Sequence, residues 1–97
     1  MIDDKIREIE DILYSYNDYC NINKENNKYN DFISDINNAV FMIRKCKYSN
    51  FIEMKYFQNM TYEEIAEELS VDVRTVYRIR ERILSKLKPH FKIQRLI

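Results

Sequence analysis

The chain of 97 residues has no Gly, one Pro, two Cys and one His, and its 16 basic and 16 acidic side chains cancel to zero formal charge. That size supports one small domain and no large catalytic cavity. Missing Gly excludes the phosphate-cradling loops of Rossmann and P-loop enzymes and the Asn-Gly or Asp-Gly hairpin, because each needs backbone that only Gly adopts easily.

From Ile2 to Cys20 the apolar or near-apolar residues Ile2, Ile6, Ile9, Leu13, Tyr16 and Cys20 recur at intervals of four and three. The spacing predicts one amphipathic helix over 2–20, with Asp3, Asp4, Lys5, Glu8, Glu10 and Asp11 around its remaining surface. The stripe either packs on the rest of the domain or forms a coiled-coil seam, in which case the chain is a homo-oligomer through residues 2–20. Residues 21–30 are Asn-rich and without a period, and Asn competes with helical hydrogen bonds, so a loop is expected there.

Asp31 is placed to cap a second helix whose apolar positions are Phe32, Ile33, Ile36, Ala39, Val40 and Ile43. Arg44, Lys45 and Lys47 suit its C-terminal turn, where the helix dipole favours cations. The run Phe51-Ile52-Glu53-Met54-Lys55-Tyr56-Phe57 reads as a short buried helix within 48–58. Thr61-x-x-Glu64 is a capping box that opens a helix from Tyr62 to Leu69, burying Ile65, Ala66 and Leu69. After Ser70-Val71, Asp72 caps a longer helix with core positions Val76, Ile79, Ile83 and Leu87, which ends before Pro89. Phe91, Ile93, Leu96 and Ile97 follow, able to fold on the core or join a subunit interface.

The fold class expected is therefore all-α, with residues 1–30 as an N-terminal helix and loop and residues 31–97 as a helix-turn-helix unit. Two helices joined by a three-residue turn, with small Ala66 at the crossing and a longer basic second helix, are that motif. On a wheel of 100° per residue the core positions of the helix 73–87 fall within about 60° of one another. Arg74, Thr75, Arg78, Glu81, Arg82 and Ser85 lie opposite, with Tyr77 at the flank. Arg74 and Arg78 can reach base edges, Thr75 and Tyr77 can add a thymine-methyl or phosphate contact, and Arg82, Lys86, Thr61 and Tyr62 suit backbone phosphate. Arg80 falls near the core side instead, where pairing with Glu64, Glu67 or Glu68 is expected.

Charge follows the same boundary. Residues 1–72 hold eight basic against fifteen acidic groups, a net of −7, and residues 73–97 hold eight basic groups and Glu81, a net of +7. A basic quarter on an acidic body points to a polyanion, double-stranded DNA, as partner.

Other chemistries find little support. A tetrahedral zinc site would have to use Cys20, Cys46, His90 and a carboxylate together, so no metal is expected, and no cofactor or small-molecule substrate. No Ser/His/Asp constellation suggests an enzyme. The acidic start resembles no secretory leader and no apolar run approaches the ~20 residues of a membrane span, so a cytoplasmic protein without a membrane partner is expected.

Tyr56-Phe57, Met60 through Val71, Arg74 through Ile79 and Leu84-Ser85-Lys86-Leu87 together resemble region 4 of bacterial sigma factors. They are still more similar to the small region 4-like phage regulators of the ArpU and RinA type. The close likeness covers about residues 50–88 and a looser one reaches back to about 31. It implies promoter binding through the helix 73–87, with Arg74, Thr75, Tyr77 and Arg78 at base-facing positions, and activation by contact with RNA polymerase. The turn position usually held by Gly is Ser70, and a recognition-helix position that is often acidic is Arg80. No segment resembles the sigma region that melts the −10 element, so either recruitment of a polymerase that already carries a sigma factor or cooperation with a separate melting partner is expected. A module that binds RNA polymerase or a sigma partner without reading DNA is the competing reading.

Overall fold

The structure, a computed structural model, describes residues 4–26 and 30–91. It is all-α, with no strand among the described residues. In chain order come α1 (Asp4–Tyr14), α2 (Tyr16–Asn26), α3 (Asn30–Met42), a π-helical turn (Glu53–Phe57), α4 (Tyr62–Leu69), α5 (Val73–Leu87) and a 3-10 turn (Lys88–His90) that contains Pro89. No described helix is long and apolar enough to cross a membrane.

The N-terminal region departs from the expected single helix and loop. Its helical course is interrupted at Ser15, whose amide is shared between the carbonyls of Asp11 and Ile12, both at 3.2 Å. Beyond that joint α2 runs through Asn26, so residues 21–26 are helical where an Asn-rich loop was expected. Tertiary contacts overcome the weak propensity of Asn. The Tyr16 ring stacks on Phe57 at 4.4 Å, its hydroxyl donates to Asn37 Oδ1 at 2.8 Å, Asn17 Nδ2 donates to the Phe57 carbonyl at 3.1 Å, and Tyr19 meets Phe32 at 5.5 Å. The stripe of α1 is used inside the chain: Ile9 and Leu13 are buried in the common core and Ile6 packs against it. The coiled-coil seam is thus occupied by the chain's own α5 and π-turn side, while Ile2 lies outside the described residues.

That core gathers Ile36 and Ala39 from α3, Phe51 and Ile52, Ile65 and Ala66 from α4, and Val76, Ile79, Ile83, Leu84 and Leu87 from α5. Phe91 joins it, which settles the start of the C-terminal segment; Ile93, Leu96 and Ile97 lie outside the described residues. The segment expected as an ordinary short helix is a π-turn, closed by the Gln58 amide on the Glu53 carbonyl at 2.8 Å. Its wider turn accommodates an extra residue, and Met54 and Tyr56 both reach the interior.

Tyr56 and Arg80 meet there on one carboxylate. Arg80 Nη2 and Nε donate to Glu10 Oε1 and Oε2 at 2.6 and 2.8 Å, and the Tyr56 hydroxyl donates to Oε2 at 2.7 Å. Arg80 therefore lies near the core as its wheel position indicates, but its partner is Glu10 of α1 and not a glutamate of α4. Burial works to raise the Glu10 carboxyl, yet the hydrogen bonds from Arg80 and Tyr56 and the charges of Arg80 and Lys55 outweigh it and hold it below its ordinary 4.5. The Tyr56 phenol is pushed far up, by burial first and then by its bond to Glu10.

The connection from α4 to α5 has both expected caps. Thr61 accepts from the Glu64 amide at 3.1 Å while Glu64 accepts from the Thr61 amide at 2.8 Å, and the Asp72 carboxylate accepts from the Thr75 amide at 2.8 Å. Ser70 takes the left-handed conformation with φ 58° and ψ 43°, and its neighbour Val71 donates to the Ala66 carbonyl at 3.0 Å. That is the αL ending usually supplied by Gly.

Two predictions follow the fold. Ser70→Gly removes the clash of a Cβ with left-handed backbone and should stabilise the chain by about 1 kcal/mol, or about 4–8 °C in Tm, read by thermal denaturation; an unchanged Tm would contradict the strain. Glu10→Ala should destabilise by about 1–3 kcal/mol in urea titrations, since it leaves the buried Tyr56 hydroxyl and two partly buried N–H donors of Arg80 without their acceptor. Because the Glu10 pKa is lower folded than unfolded, its contribution is full above 4.5 and is lost as the pH falls through the folded value. Wild type should therefore lose more stability than Glu10→Gln between about pH 6 and about pH 3.

Candidate nucleic-acid interface

α5 forms from a strongly amphipathic sequence, and its two faces separate cleanly. Val76, Ile79, Ile83, Leu84 and Leu87 are buried, whereas Arg74, Tyr77, Arg78, Glu81, Arg82, Ser85 and Lys86 are exposed. Thr75 is half-buried, its amide held by Asp72. The cap orients the first turn of α5, and the charges of Arg74 and Arg78 together with the Thr75 hydrogen bond hold the Asp72 carboxyl below its ordinary range, the hydrogen bond being the larger cause. Arg74, Arg78 and Arg82 then follow one another at single-turn intervals along the outer face.

Two elements border that face. On one flank the start of α4 brings Tyr62 against Tyr77, with ring centroids 4.4 Å apart and planes at 34°. Tyr62 is half-buried and Lys55 Nζ sits 4.7 Å from its ring centre, while the same ammonium donates to the Met60 carbonyl at 3.2 Å. Burial pushes the Tyr62 phenol up from its ordinary 10.0, and a phenol is a hydrogen-bond donor at neutral pH with or without that shift. Thr61 is exposed next to it. The structure thus brings Thr61, Tyr62 and Tyr77 to one side of the helix, with Lys86 exposed in its last turn.

On the other flank lies the turn that follows α3. Lys47 and Tyr48 line a cleft of about 150 Å³ together with Thr75, Arg78 and Arg82, over a floor of Ile79 and Ile83. Sequence reasoning assigned Lys47 to the dipole of the preceding helix and missed this neighbourhood. In the structure Arg44 alone of that cluster answers the helix end, donating to the Phe41 carbonyl at 2.9 Å and covering the Phe41 ring at 3.7 Å. The position of Lys47 depends on Tyr48 taking φ 67°, a left-handed turn that no local signal such as Gly announces.

Among the described residues no group of three or more His, Cys, Asp or Glu is arranged to hold a metal ion, and Cys20 and Cys46 are free thiols, each half-buried.

No curated protein and no solved structure matches the chain. Residues 47–87, from the lysine of the cleft to the last residue of α5, match the family model for sigma-70, region 4, and within them α4 and α5 form a helix-turn-helix.

Proposed function

We propose that the protein is a sequence-specific DNA-binding regulator of transcription, a small phage-type or sigma-like activator that inserts α5 into the major groove. The observation that carries this reading is the outer face of α5, where Arg74, Arg78 and Arg82 stand exposed on a helix whose inner face and N-terminal cap fix its orientation. Arg74 and Arg78, near the N-terminal end, are suited to guanine O6 and N7. Arg82 and Lys86 lie further along and suit backbone phosphate, as do Thr61, Tyr62 and Tyr77 on the flank. Thr75, capped and half-buried, suits a methyl or phosphate contact near the helix start.

One recognition helix touches few base pairs, so selective occupancy calls for a second contact. RNA polymerase supplies it in this reading, as the likeness to sigma-70 region 4 suggests. The outer side of α4 presents Glu63, Glu67 and Glu68 to solvent, and the net −7 of residues 1–72 turns that body away from DNA and toward a basic protein surface. Dimerisation through the α1 stripe is not required, since that stripe already lies in the core.

Selection of bound duplexes from a random pool supplies the site on which the variants are compared. Arg78→Ala and Arg74→Ala should each lose about 1–3 kcal/mol of binding to that site and relax its sequence preference, read by fluorescence anisotropy. Arg82→Ala should weaken selected and unrelated duplexes alike. Retention of full affinity and preference by the Arg74→Ala/Arg78→Ala double variant would instead leave a polymerase-binding module that does not read DNA.

A further inference from the structure

We propose that the Lys47–Tyr48 cleft is a sugar-phosphate site, through which the turn after α3 grips the DNA strand on the wall of the groove opposite the one met by Tyr62 and Tyr77. The inference rests on the reading of α5 as a recognition helix and adds a contact from outside the two helices of the motif.

Three cations converge on this cleft. Lys47, Arg78 and Arg82 line it, and among the described residues none of the three has a carboxylate within ion-pair distance. Lys47 Nζ lies 5.1 Å from the centre of the Tyr48 ring, a cation-π contact that keeps the ammonium at the cleft. Arg78 feels the charge of the Asp72 carboxylate but is not paired with it; cations gathered without a paired carboxylate repel one another, and an anion placed among them reduces that repulsion. The floor is apolar, from Ile79, Ile83 and the Tyr48 ring. A free phosphate has no use for such a floor, whereas a deoxyribose attached to the phosphate would cover it.

Position around the helix agrees. An α-helix with its side chains is about 10–12 Å across and the major groove about 12 Å wide, so a seated helix presents each flank to one phosphate wall. Tyr77 projects on one flank of α5, toward Tyr62, and the line Thr75, Arg78, Arg82 on the other, toward Lys47. The turn that delivers Lys47 is held by the Ser49 hydroxyl on the Arg44 carbonyl at 3.1 Å and by the Ser49 amide on the Cys46 carbonyl at 3.1 Å. The lysine therefore belongs to a structured rim.

The test measures the salt dependence of binding to a mixed-sequence duplex for wild type, Lys47→Gln, Lys47→Arg and Lys45→Gln. Lys45 is exposed in the same turn but does not line the cleft. Loss of one phosphate contact lowers the slope of log K against log salt by about 0.9, so between about 50 and 200 mM salt Lys47→Gln should lose roughly threefold less affinity than wild type. Lys47→Arg should restore the wild-type slope and Lys45→Gln should leave it in place. An unchanged slope in Lys47→Gln, in a protein that still binds duplex through Arg78, overturns the cleft and leaves the DNA-binding reading standing. Equal loss in Lys45→Gln and Lys47→Gln also overturns it, as general charge and no site. Inorganic phosphate titrated against wild type, followed by NMR at the Lys47 and Tyr48 amides, separates the sources. Shifts with phosphate in a chain that binds no duplex would keep an anion site and refute the DNA strand as its ligand, and neither shifts nor duplex binding would refute both.

Discussion

A bidentate pair between Glu10 and Arg80, seventy positions apart in sequence, ties α1 to α5, the helix with the exposed row of arginines. Of the four arginines on α5, Arg80 alone turns toward the interior, and a planar guanidinium there can satisfy both carboxylate oxygens at once, which a lysine cannot do. Glu10 also accepts from Tyr56, so the π-turn is bound to the same point. Three segments are thereby fixed relative to one another by one carboxylate, and the wider turn at Glu53–Phe57 is what lets Tyr56 reach it. With only 97 residues and a correspondingly small core, a polar junction of this kind limits how α5 can rotate, and rotation of α5 would change which arginines face outward.

The outer face depends on that restraint. Val76, Ile79 and Ile83 resist rotation through packing, Asp72 fixes the first turn, and Arg80 excludes the alternative in which its own charge joins the exposed row. What remains outside is a line of cations bordered by two different kinds of neighbour. The Tyr62–Tyr77 side is aromatic and hydrogen-bonding, and the Lys47 side is cationic over an apolar floor. α5 is held between these two borders, in a chain without Gly whose tight turn before the helix is made by left-handed Ser70.

Zero net charge conceals this division of labour. The acidic residues occupy the elements that build and hold the scaffold, and the basic excess begins at the cap of α5. Lys47 stands outside that boundary in sequence but beside it in space, so the basic surface is larger than the C-terminal quarter alone. A charge separation of this sense gives the molecule a dipole that would orient it in the field of a charged partner.

Much of the fold is legible locally. Period-3.6 apolar spacing locates α1, α3, α4 and α5, the Thr61–Glu64 box and Asp72 mark helix starts within a residue, and Pro89 marks the end of α5, because caps and amphipathic stripes act through neighbours in sequence. Arg74, Arg78 and Arg82 are legible as an exposed face for the same reason. Less was legible where partners come from far along the chain. The Asn-rich residues of α2 are helical because Tyr16, Asn17 and Tyr19 dock on Phe57, Asn37 and Phe32, Arg80 selects Glu10 over the nearer glutamates of α4, and Lys47 reaches α5 through a positive-φ tyrosine. The sequence by itself determined an all-α chain with a capped helix-turn-helix and a cationic outer face, since those follow from short-range periodicity and hydrogen bonding. Only the tertiary structure decided that the α1 stripe belongs to the core, which carboxylate holds Arg80, and which turn borders α5, since each depends on contacts between segments that local chemistry leaves undetermined.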